Sequence, residues 1–327
     1  MTDPATPRRP GLLLTRRYPE AVEARAVRDY RCTPRTEDAP LNREALVREA
    51  AGMEAILCAA GDPLDAATIE ALPASVRMLA TFSVGTDHID LAAAGRRGLV
   101  VSNTPDVLSV ATAEIAMTLI LMCARRAGEA ERMLRAGEWT GWAPTQLRGV
   151  TLEGKALGIL GMGRIGQALA RMAAGFGMRV HYLNRRRLPP AEEAGARFHA
   201  DEREFLETVD ILSMHIPGGE ATRHWLDARR IATLRPGTIV VNTGRGTTVD
   251  DAALCAALHS GHLRAAGLDV FAGEPAIFPG YLSAPNVTLL PHLGSATEEA
   301  RDAMGFRCLD NLDAVLLRGE AAPHRVA

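Results

Sequence analysis

The chain has 327 residues, of which 47% are hydrophobic and 23% charged, with a formal net charge of −2. That length predicts about two domains, and the near-neutral charge gives no electrostatic support for a nucleic-acid or membrane partner. The opening residues, MTDPATPRRP, lack the apolar run of a secretory signal, and the longest largely apolar run, 115–124, is too short to span a bilayer. Five cysteines without CxxC spacing indicate buried thiols rather than a zinc site, so we expect a cytoplasmic protein without a metal.

Short apolar runs alternate with helical patterns from Gly11 onward. The predicted strands are GLLLT, EAILCAA, RMLATF and GLVVSN, and this alternation is typical of a parallel sheet with helices on both faces. A long helix is predicted for residues 106–135, followed by a loop that contains Trp139 and Trp142. These tryptophans either lie at an interface or cover their own core.

A second series of strands begins with ALGIL and continues through RVHYL, DILSMHI, TIVVNT, AAGLDVF and NVTLLP. Six strands separated by helical segments match a Rossmann unit. One more helix, about 296–317, has no strand after it, so we expect it to return to the first domain. The predicted domains are residues 1–102 plus 294–327, interrupted by a dinucleotide-binding domain of residues 103–293, and the cleft between them is the expected ligand site.

The segment ALGILGMGRIGQALA predicts a dinucleotide site, because a strand, a glycine-rich turn and a helix follow in that order. Gly161 would make the tight turn, Gly163 would let the backbone approach a pyrophosphate, and Gly166 would let the helix pack close to the strand. The amides at the helix start, around Arg164 and Ile165, would then face the phosphates.

The residues after the second strand of this unit indicate which cofactor fits. A site for NAD commonly has Asp or Glu there, to bind the ribose 2′-hydroxyl. Here the chain has Asn184, Arg185, Arg186 and Arg187. Guanidinium groups bind a 2′-phosphate, whereas a carboxylate would repel it, so NADP(H) is preferred and NAD(H) remains possible. The alternative is a solvated basic turn.

Three charged residues follow strands late in the chain. Arg245 follows TIVVNT between Gly244 and Gly246, which would leave its side chain uncrowded. Glu274 follows GLDVFAG, and His292 follows NVTLLP. An arginine to hold an anionic substrate, a histidine to supply a proton and a carboxylate to orient that histidine suffice for carbonyl reduction.

Five motifs, NTGRGTTVD, GLDVFAGEP, PHLGSAT, SVGTDHIDL and NTPDVLSVATAEIA, resemble those of the D-isomer-specific 2-hydroxyacid dehydrogenase family. The resemblance covers nearly the whole chain. The basic residues after the second strand, the GEWTGW loop and the C-terminal segment look most like the glyoxylate/hydroxypyruvate reductase branch. The fold class is thus α/β, with two Rossmann-like doubly wound parallel-sheet domains: a flavodoxin-like substrate domain interrupted by a NAD(P)-binding domain.

The resemblance implies roles for individual residues. Arg245 would bind the substrate, His292 would be the general acid/base and Glu274 its partner. The backbone amides of Val84 and Gly85 would bind the substrate carboxylate. Further cofactor contacts would come from Ile216, Pro217, Thr243 and Gly244, with Asp269 on the nicotinamide carboxamide.

The resemblance also implies a homodimer through residues 106–150, in which Trp142 reaches the neighbouring subunit's site. The chain departs from the common family pattern at Asp106, where glycine is frequent, and at Gly219, in a loop that usually carries threonine or proline.

The predicted function is the NADPH-preferring reduction of small 2-oxo acids, with glyoxylate giving glycolate and hydroxypyruvate giving D-glycerate. The alternatives are another D-2-hydroxyacid, formate or phosphite dehydrogenase of the family, or a non-catalytic NAD(P)-sensing corepressor built on the same fold.

Overall fold

The computed structural model describes residues 8–327. Residues 1–7, on which the prediction about a secretory signal largely rests, lie outside the described residues. The chain forms two compact units. The first runs up to Leu108 and resumes at Ala296–Ala327, and the second is Ser109–Ser295. The predicted breaks after residues 102 and 293 lie close to these positions.

The first unit contains a parallel sheet of four strands, in the order β1-β2-β3-β4. Its strands are β1 (Leu12–Leu14), β2 (Ala55–Cys58), β3 (Met78–Thr81) and β4 (Val100–Ser102). Gly11, the residue just before β1, forms a single parallel β-bridge with Arg31. If Arg31 is counted as a minimal second strand, the order becomes 2-1-3-4-5, which is flavodoxin-like. All four predicted strands are confirmed.

Four helices connect these strands: α1 (Glu20–Asp29), α2 (Arg43–Glu49), α3 (Ala66–Ala71) and α4 (Leu91–Arg96). Short polar side chains begin three of them, because each accepts a hydrogen bond from an amide of the first turn that has no partner inside the helix. These capping residues are Asn42, Asp65 and Asp90. Apolar side chains of α2, α3 and α4 pack on fully buried strand residues such as Ile56 and Leu79.

The second unit begins with two helices where the sequence predicted one. Helix α5 (Ser109–Arg125) and helix α6 (Ala127–Arg135) are separated by Arg126, whose φ is 55°. The Ala124 carbonyl accepts a hydrogen bond from the Val150 amide at 2.8 Å instead of continuing the helix. The prediction of one continuous helix is therefore wrong, since a chain segment that returns from farther along the sequence ends α5.

The second unit contains a parallel sheet of seven strands, one more than predicted. In chain order they are β5 (Ala156–Leu160), β6 (Arg179–Leu183), β7 (Arg197–His199), β8 (Ile211–Met214), β9 (Thr238–Asn242), β10 (Leu263–Leu268) and β11 (Val287–Leu289). The spatial order is β11-β10-β9-β8-β5-β6-β7. This is the Rossmann order with one strand added beyond the sixth, so the order reverses between β5 and β8, where ligands bind in such sheets.

Helices cover both faces of this sheet: α7 (Arg164–Gly175), α8 (Glu202–Thr208), α9 (Ala228–Thr233) and α10 (Asp251–His259), together with α5. Alternate strand residues face opposite sides. Ile159 and Val241 belong to the core that includes α5 and α7, whereas Leu212 and Val240 belong to the core that includes α8 and α10.

The last helix, α11 (Glu298–Leu312), continues as a π-helical turn at Asp313–Leu317 and belongs to the first unit, as predicted. It packs against β3 and α1. The chain then pairs with the edge strand, because the Val326 amide donates to the Val101 carbonyl at 2.7 Å. No helix within residues 8–327 has the length and apolar character needed to cross a membrane.

Candidate active site

The glycine-rich turn between β5 and α7 has the geometry of a phosphate-binding loop. Gly161 has a φ of 92°, in the region that favours glycine. A Cβ atom on Gly166 would lie 2.7 Å from the Gly161 carbonyl oxygen and 2.9 Å from Ile159 Cγ2. A Cβ atom on Gly163 would meet nothing within 4 Å. Gly166 thus faces the protein and Gly163 faces open space, which is the cradle that a dinucleotide pyrophosphate requires.

The start of α7 faces this open space. Gly163 is the N-cap residue and has no side chain to accept from the amides of the first turn, among them those of Arg164 and Ile165. The amide dipoles favour an anion there. Asn184 Oδ1 accepts a hydrogen bond from the Met162 amide at 2.7 Å, so Asn184 ties the end of β6 to the glycine turn.

The basic residues after β6 differ in whether they form an ion pair. Arg187 forms two hydrogen bonds with the Glu193 carboxylate, at 2.7 and 3.0 Å. Arg185 and Arg186 are exposed, and neither forms an ion pair within the part of the chain that the structure describes. The positions available to a 2′-phosphate are therefore Arg185 and Arg186, which follow directly on the residue that contacts the glycine turn.

His215, which the sequence analysis did not select, joins the ends of β8 and β9. Its Nε2 lies 2.9 Å from Ser213 Oγ, and its Nδ1 lies 3.1 Å from Thr243 Oγ1. Burial lowers the pKa of His215 to about 4, so the ring is neutral at pH 7. A Cβ atom on Gly161 would lie 3.0 Å from the His215 carbonyl carbon, which places this residue against the glycine turn as well.

The four predicted cofactor-lining residues at the ends of β8 and β9 lie together. Ile216 and Pro217 follow His215 directly, while Thr243 and Gly244 follow β9. A Cβ atom on Gly244 would lie only 2.8 Å from the Ile216 carbonyl oxygen. Position 244 requires glycine for this close approach of two backbones.

Arg245 lies between two glycines for a reason that the sequence analysis did not identify. A Cβ atom on Gly246 would lie 1.9 Å from the Phe271 carbonyl carbon, within the loop that follows β10. The glycines thus let the backbone around Arg245 pack between neighbouring loops, rather than merely relieve crowding of its side chain. The Arg245 Nη1 donates to the Gly244 carbonyl at 2.8 Å.

Glu274 and His292 form a hydrogen-bonded pair. His292 Nδ1 lies 2.7 Å from Glu274 Oε2, and the Phe271 amide donates to Glu274 Oε1 at 2.8 Å. Burial raises the pKa of Glu274, but the bonds from His292 and Phe271 and the nearby charge of Arg245 outweigh it, so the net pKa is lowered. Glu274 is therefore ionised at neutral pH. The structure brings Arg245, Glu274 and His292 together, with His292 Nε2 on the side of the ring away from Glu274.

Asp269 holds the loop that carries His292. Its Oδ1 accepts from the Leu293 amide at 2.7 Å, its Oδ2 from the Gly294 amide at 2.8 Å, and its carbonyl from the His292 amide at 3.0 Å. His292 has a φ of 55°, an uncommon conformation for a residue other than glycine. Asp269 is 1% exposed, and burial raises the pKa of its carboxyl group despite the two hydrogen bonds from backbone amides. Its predicted contact with the nicotinamide carboxamide stays a prediction.

The remaining predicted residues lie elsewhere in the two units. Val84 and Gly85 follow β3 in the first unit. Trp142, in the loop after α6, is 81% exposed. The two departures from the family pattern both have a positive φ, 75° at Asp106 and 123° at Gly219. Since glycine adopts such angles most easily, the frequent glycine at position 106 in the family has a steric reason.

Comparisons with known proteins point to one family. Residues 117–294 match the family model described as D-isomer specific 2-hydroxyacid dehydrogenase, NAD binding domain. A glycerate dehydrogenase from Hyphomicrobium methylovorum is 41% identical over 306 residues, covering 93% of this chain and 95% of that protein. A glyoxylate reductase from Thermococcus litoralis is 38% identical and covers 97% of each chain.

Among solved structures, an NADPH-dependent glyoxylate/hydroxypyruvate reductase from Sinorhizobium meliloti, in complex with NADP and malonate, superposes with a TM-score of 0.86. It is 34% identical and covers 98% of this chain and 97% of that chain. Within residues 8–327, no group of three or more His, Cys, Asp or Glu side chains is arranged to hold a metal ion. The fold, the cofactor cradle and these similarities together assign the chain to the D-isomer specific 2-hydroxyacid dehydrogenases, a family of NAD(P)-dependent oxidoreductases.

Proposed function

We propose that this enzyme is an NADPH-preferring reductase of small 2-oxo acids, which converts glyoxylate to glycolate and hydroxypyruvate to D-glycerate. The observation that carries the proposal is the Glu274–His292 pair, 2.7 Å apart, beside the guanidinium of Arg245. The names of the Hyphomicrobium, Thermococcus and Sinorhizobium relatives support the substrate class.

The three residues have different roles in the reduction of the carbonyl group. Arg245 binds the substrate anion and polarises its carbonyl. The glycine turn between β5 and α7 would hold the dinucleotide, whose reduced nicotinamide would supply a hydride for the carbonyl carbon. His292 donates the Nε2 proton to the carbonyl oxygen, so that a hydroxyl group forms. Glu274 holds Nδ1, which fixes the ring and stabilises its protonated state before transfer.

The preference for NADPH rests on Arg185 and Arg186, which form no ion pair within the described residues, in contrast to Arg187, which is paired with Glu193. A hydrogen bond to a charged group contributes about 1.5–3 kcal/mol. Replacing both Arg185 and Arg186 by glutamine should therefore lower kcat/KM with NADPH on the order of 100-fold, and change kcat/KM with NADH by less than about threefold. The double variant with Arg203→Gln and Arg229→Gln is the control, because it also removes two positive charges from exposed sites, on α8 and α9.

The substrate class is tested by steady-state rates with glyoxylate, hydroxypyruvate, pyruvate and phenylpyruvate, each with NADPH and NADH. We expect the two smaller polar acids and NADPH to give the highest kcat/KM. Oxidation of formate or phosphite would instead support one of the other dehydrogenases of the family. Absence of turnover with every substrate, together with tight cofactor binding, would support a sensing protein.

The proposed dimer interface comprises α6 and the loop that follows, within residues 106–150. None of the residues in α6 is buried, and large apolar side chains are exposed nearby: Leu134 is 63%, Trp139 52% and Trp142 81% exposed. Exposed apolar patches of this kind commonly form interfaces. Sedimentation equilibrium should give twice the chain mass. The cytoplasmic location stays a prediction from the cysteine pattern.

A further inference from the structure

The segment that follows β6 is closed on itself through the side chain of Glu193. Arg187 donates two hydrogen bonds to the Glu193 carboxylate, at 2.7 and 3.0 Å, and the Tyr182 hydroxyl donates a third to Glu193 Oε1 at 2.7 Å. The bonds from Arg187 and Tyr182 lower the pKa of Glu193 to about 2, so its carboxylate is ionised at neutral pH although the residue is only 8% exposed. We call Tyr182, Arg187 and Glu193 the Glu193 cluster.

Tyr182 connects this cluster to the interior of the second unit. Its ring is fully buried in the core that includes residues of α5 and α7, and it packs against the ring of Phe198 on β7. The single proton of its hydroxyl goes to Glu193, and the same oxygen accepts from the Leu188 amide at 3.0 Å. The Tyr182 hydroxyl therefore holds both a side chain and the backbone of the segment.

Arg185 and Arg186 form a bend between two held positions. Before the bend, the Asn184 side chain accepts a hydrogen bond from the backbone of the glycine turn. After the bend, the hydrogen bond from the Leu188 amide holds the peptide group that joins Leu188 to Arg187. The protein's own contacts thus fix the chain directly before and after these two arginines.

The Glu193 cluster also determines which guanidinium groups remain for a ligand. Arg187 and Glu193 compensate each other's charge, whereas Arg185 and Arg186 form no ion pair within the part of the chain that the structure describes. A phosphate binds most tightly to donors that are already in place, because ordering the backbone of one residue on binding weakens the affinity about 5- to 30-fold.

We propose that Tyr182 and Glu193 are positioning residues for the 2′-phosphate of NADPH, because they hold the bend in which Arg185 and Arg186 lie. The proposal rests on the proposed function, since it starts from the preference for NADPH. It assigns that preference to a buried phenol and a buried carboxylate as well as to the exposed arginines. Without the cluster, the same arginines would have to be ordered each time the cofactor binds, and NADPH would be distinguished less well from NADH.

The first test is Tyr182→Phe, which keeps the ring and every charge but removes the hydroxyl. The readout is the Kd for NADPH and for NADH by fluorescence titration, because the two cofactors differ only in the 2′-phosphate. We expect the Kd for NADPH to rise about tenfold and that for NADH to change by less than about twofold. Tyr281→Phe is the matched control, since the Tyr281 hydroxyl also donates to a carboxylate, that of Asp251, at 2.6 Å. It should leave both Kd values unchanged.

A second variant removes the ion pair without changing the net charge. Arg187→Gln combined with Glu193→Gln should raise the Kd for NADPH about fivefold and leave that for NADH within about twofold. Both residues are replaced because Glu193→Gln alone would free the Arg187 guanidinium to bind a phosphate. The control is Arg203→Gln combined with Glu207→Gln, which removes an exposed ion pair on α8.

The ratio of the two Kd values separates this inference from the proposed function. A wild-type enzyme that prefers NADPH, with both variants keeping that ratio, would overturn the role of Tyr182 and Glu193 and leave the preference for NADPH in place. Equal weakening of NADPH and NADH would also overturn that role, because it would indicate general disruption of the second unit. A wild-type enzyme that binds NADH as tightly as NADPH would overturn the NADPH preference itself, and this inference with it.

Discussion

Two alanine substitutions in the glycine turn should separate folding from cofactor binding. In Gly166→Ala, the new methyl group would lie 2.7 Å from the Gly161 carbonyl oxygen, which also accepts from the Gly163 amide at 2.9 Å and cannot easily move. Overpacking costs about 1–3 kcal/mol, and the upper part of that range, about 2–3 kcal/mol, applies here because the methyl group meets a backbone atom. Alanine gains about 1 kcal/mol of helix propensity at a helical position. The free energy of unfolding should therefore fall by about 1–2 kcal/mol, and Tm by about 2–8 °C for a unit of this size.

In Gly163→Ala, the methyl group meets nothing within 4 Å, and the φ of −84° suits any residue. Alanine is a poorer N-cap residue than glycine by about 0.5–1 kcal/mol, but it loses less backbone entropy on folding by a similar amount. These effects nearly cancel, so Tm should stay within about 2 °C of wild type. The methyl group would instead occupy the space for the pyrophosphate and weaken NADPH binding by about tenfold or more.

Thermal unfolding without cofactor and fluorescence titration with NADPH measure the two effects. Wild-type affinity for NADPH in Gly163→Ala would refute the assignment of this turn to the pyrophosphate. An unchanged Tm in Gly166→Ala would refute the steric argument for the contact between α7 and β5.

Two further predictions concern charge. Arg245→Ala should lower kcat/KM for glyoxylate on the order of 100-fold or more, since it removes the cation that holds the substrate anion, and NADPH affinity should be retained; a near-normal kcat/KM would remove Arg245 from the mechanism. His181 Nδ1 lies 2.9 Å from His199 Nε2, and burial lowers the pKa of His181 from 6.5 to about 4. The unfolded chain binds a proton below pH 6.5 and the folded chain only near pH 4, so stability should fall by up to about 3 kcal/mol as pH drops through that window. Chemical denaturation at pH 7 and pH 4.5 measures this loss, and His181→Gln should reduce the difference; an equal pH dependence in both proteins would contradict the assignment.

The strands could be predicted from the sequence because parallel strands that are covered on both faces form continuous apolar runs. Two features of the fold could not be predicted from the sequence. Strand β7 has only the three residues Arg197–His199 and lies at the edge of its sheet, so it carries no apolar pattern. The end of α5 depends on the Val150 amide, which lies 26 residues beyond Ala124 and leaves no local signal near Arg126.

In the candidate site too, some residues could be selected from the sequence and others could not. Arg245, Glu274 and His292 could be selected as candidates because each lies in the loop that follows a strand, and the carboxyl ends of parallel strands meet at one edge of a sheet. Asp269 holds the His292 loop through hydrogen bonds from backbone amides that lie 24 and 25 residues farther along the chain. His215 contributes through a hydrogen bond to Thr243, at the end of the neighbouring strand. Such contacts exist only once the sheet order is known.

The acid–base role of His292 is the centre of this account, and His292→Gln tests it most directly. Glutamine removes the titratable proton donor. We predict that kcat for glyoxylate and hydroxypyruvate with NADPH falls on the order of 10²–10⁴-fold, while the Kd for NADPH, measured by fluorescence titration, stays at the wild-type value. A His292→Gln enzyme with nearly wild-type kcat would contradict the account.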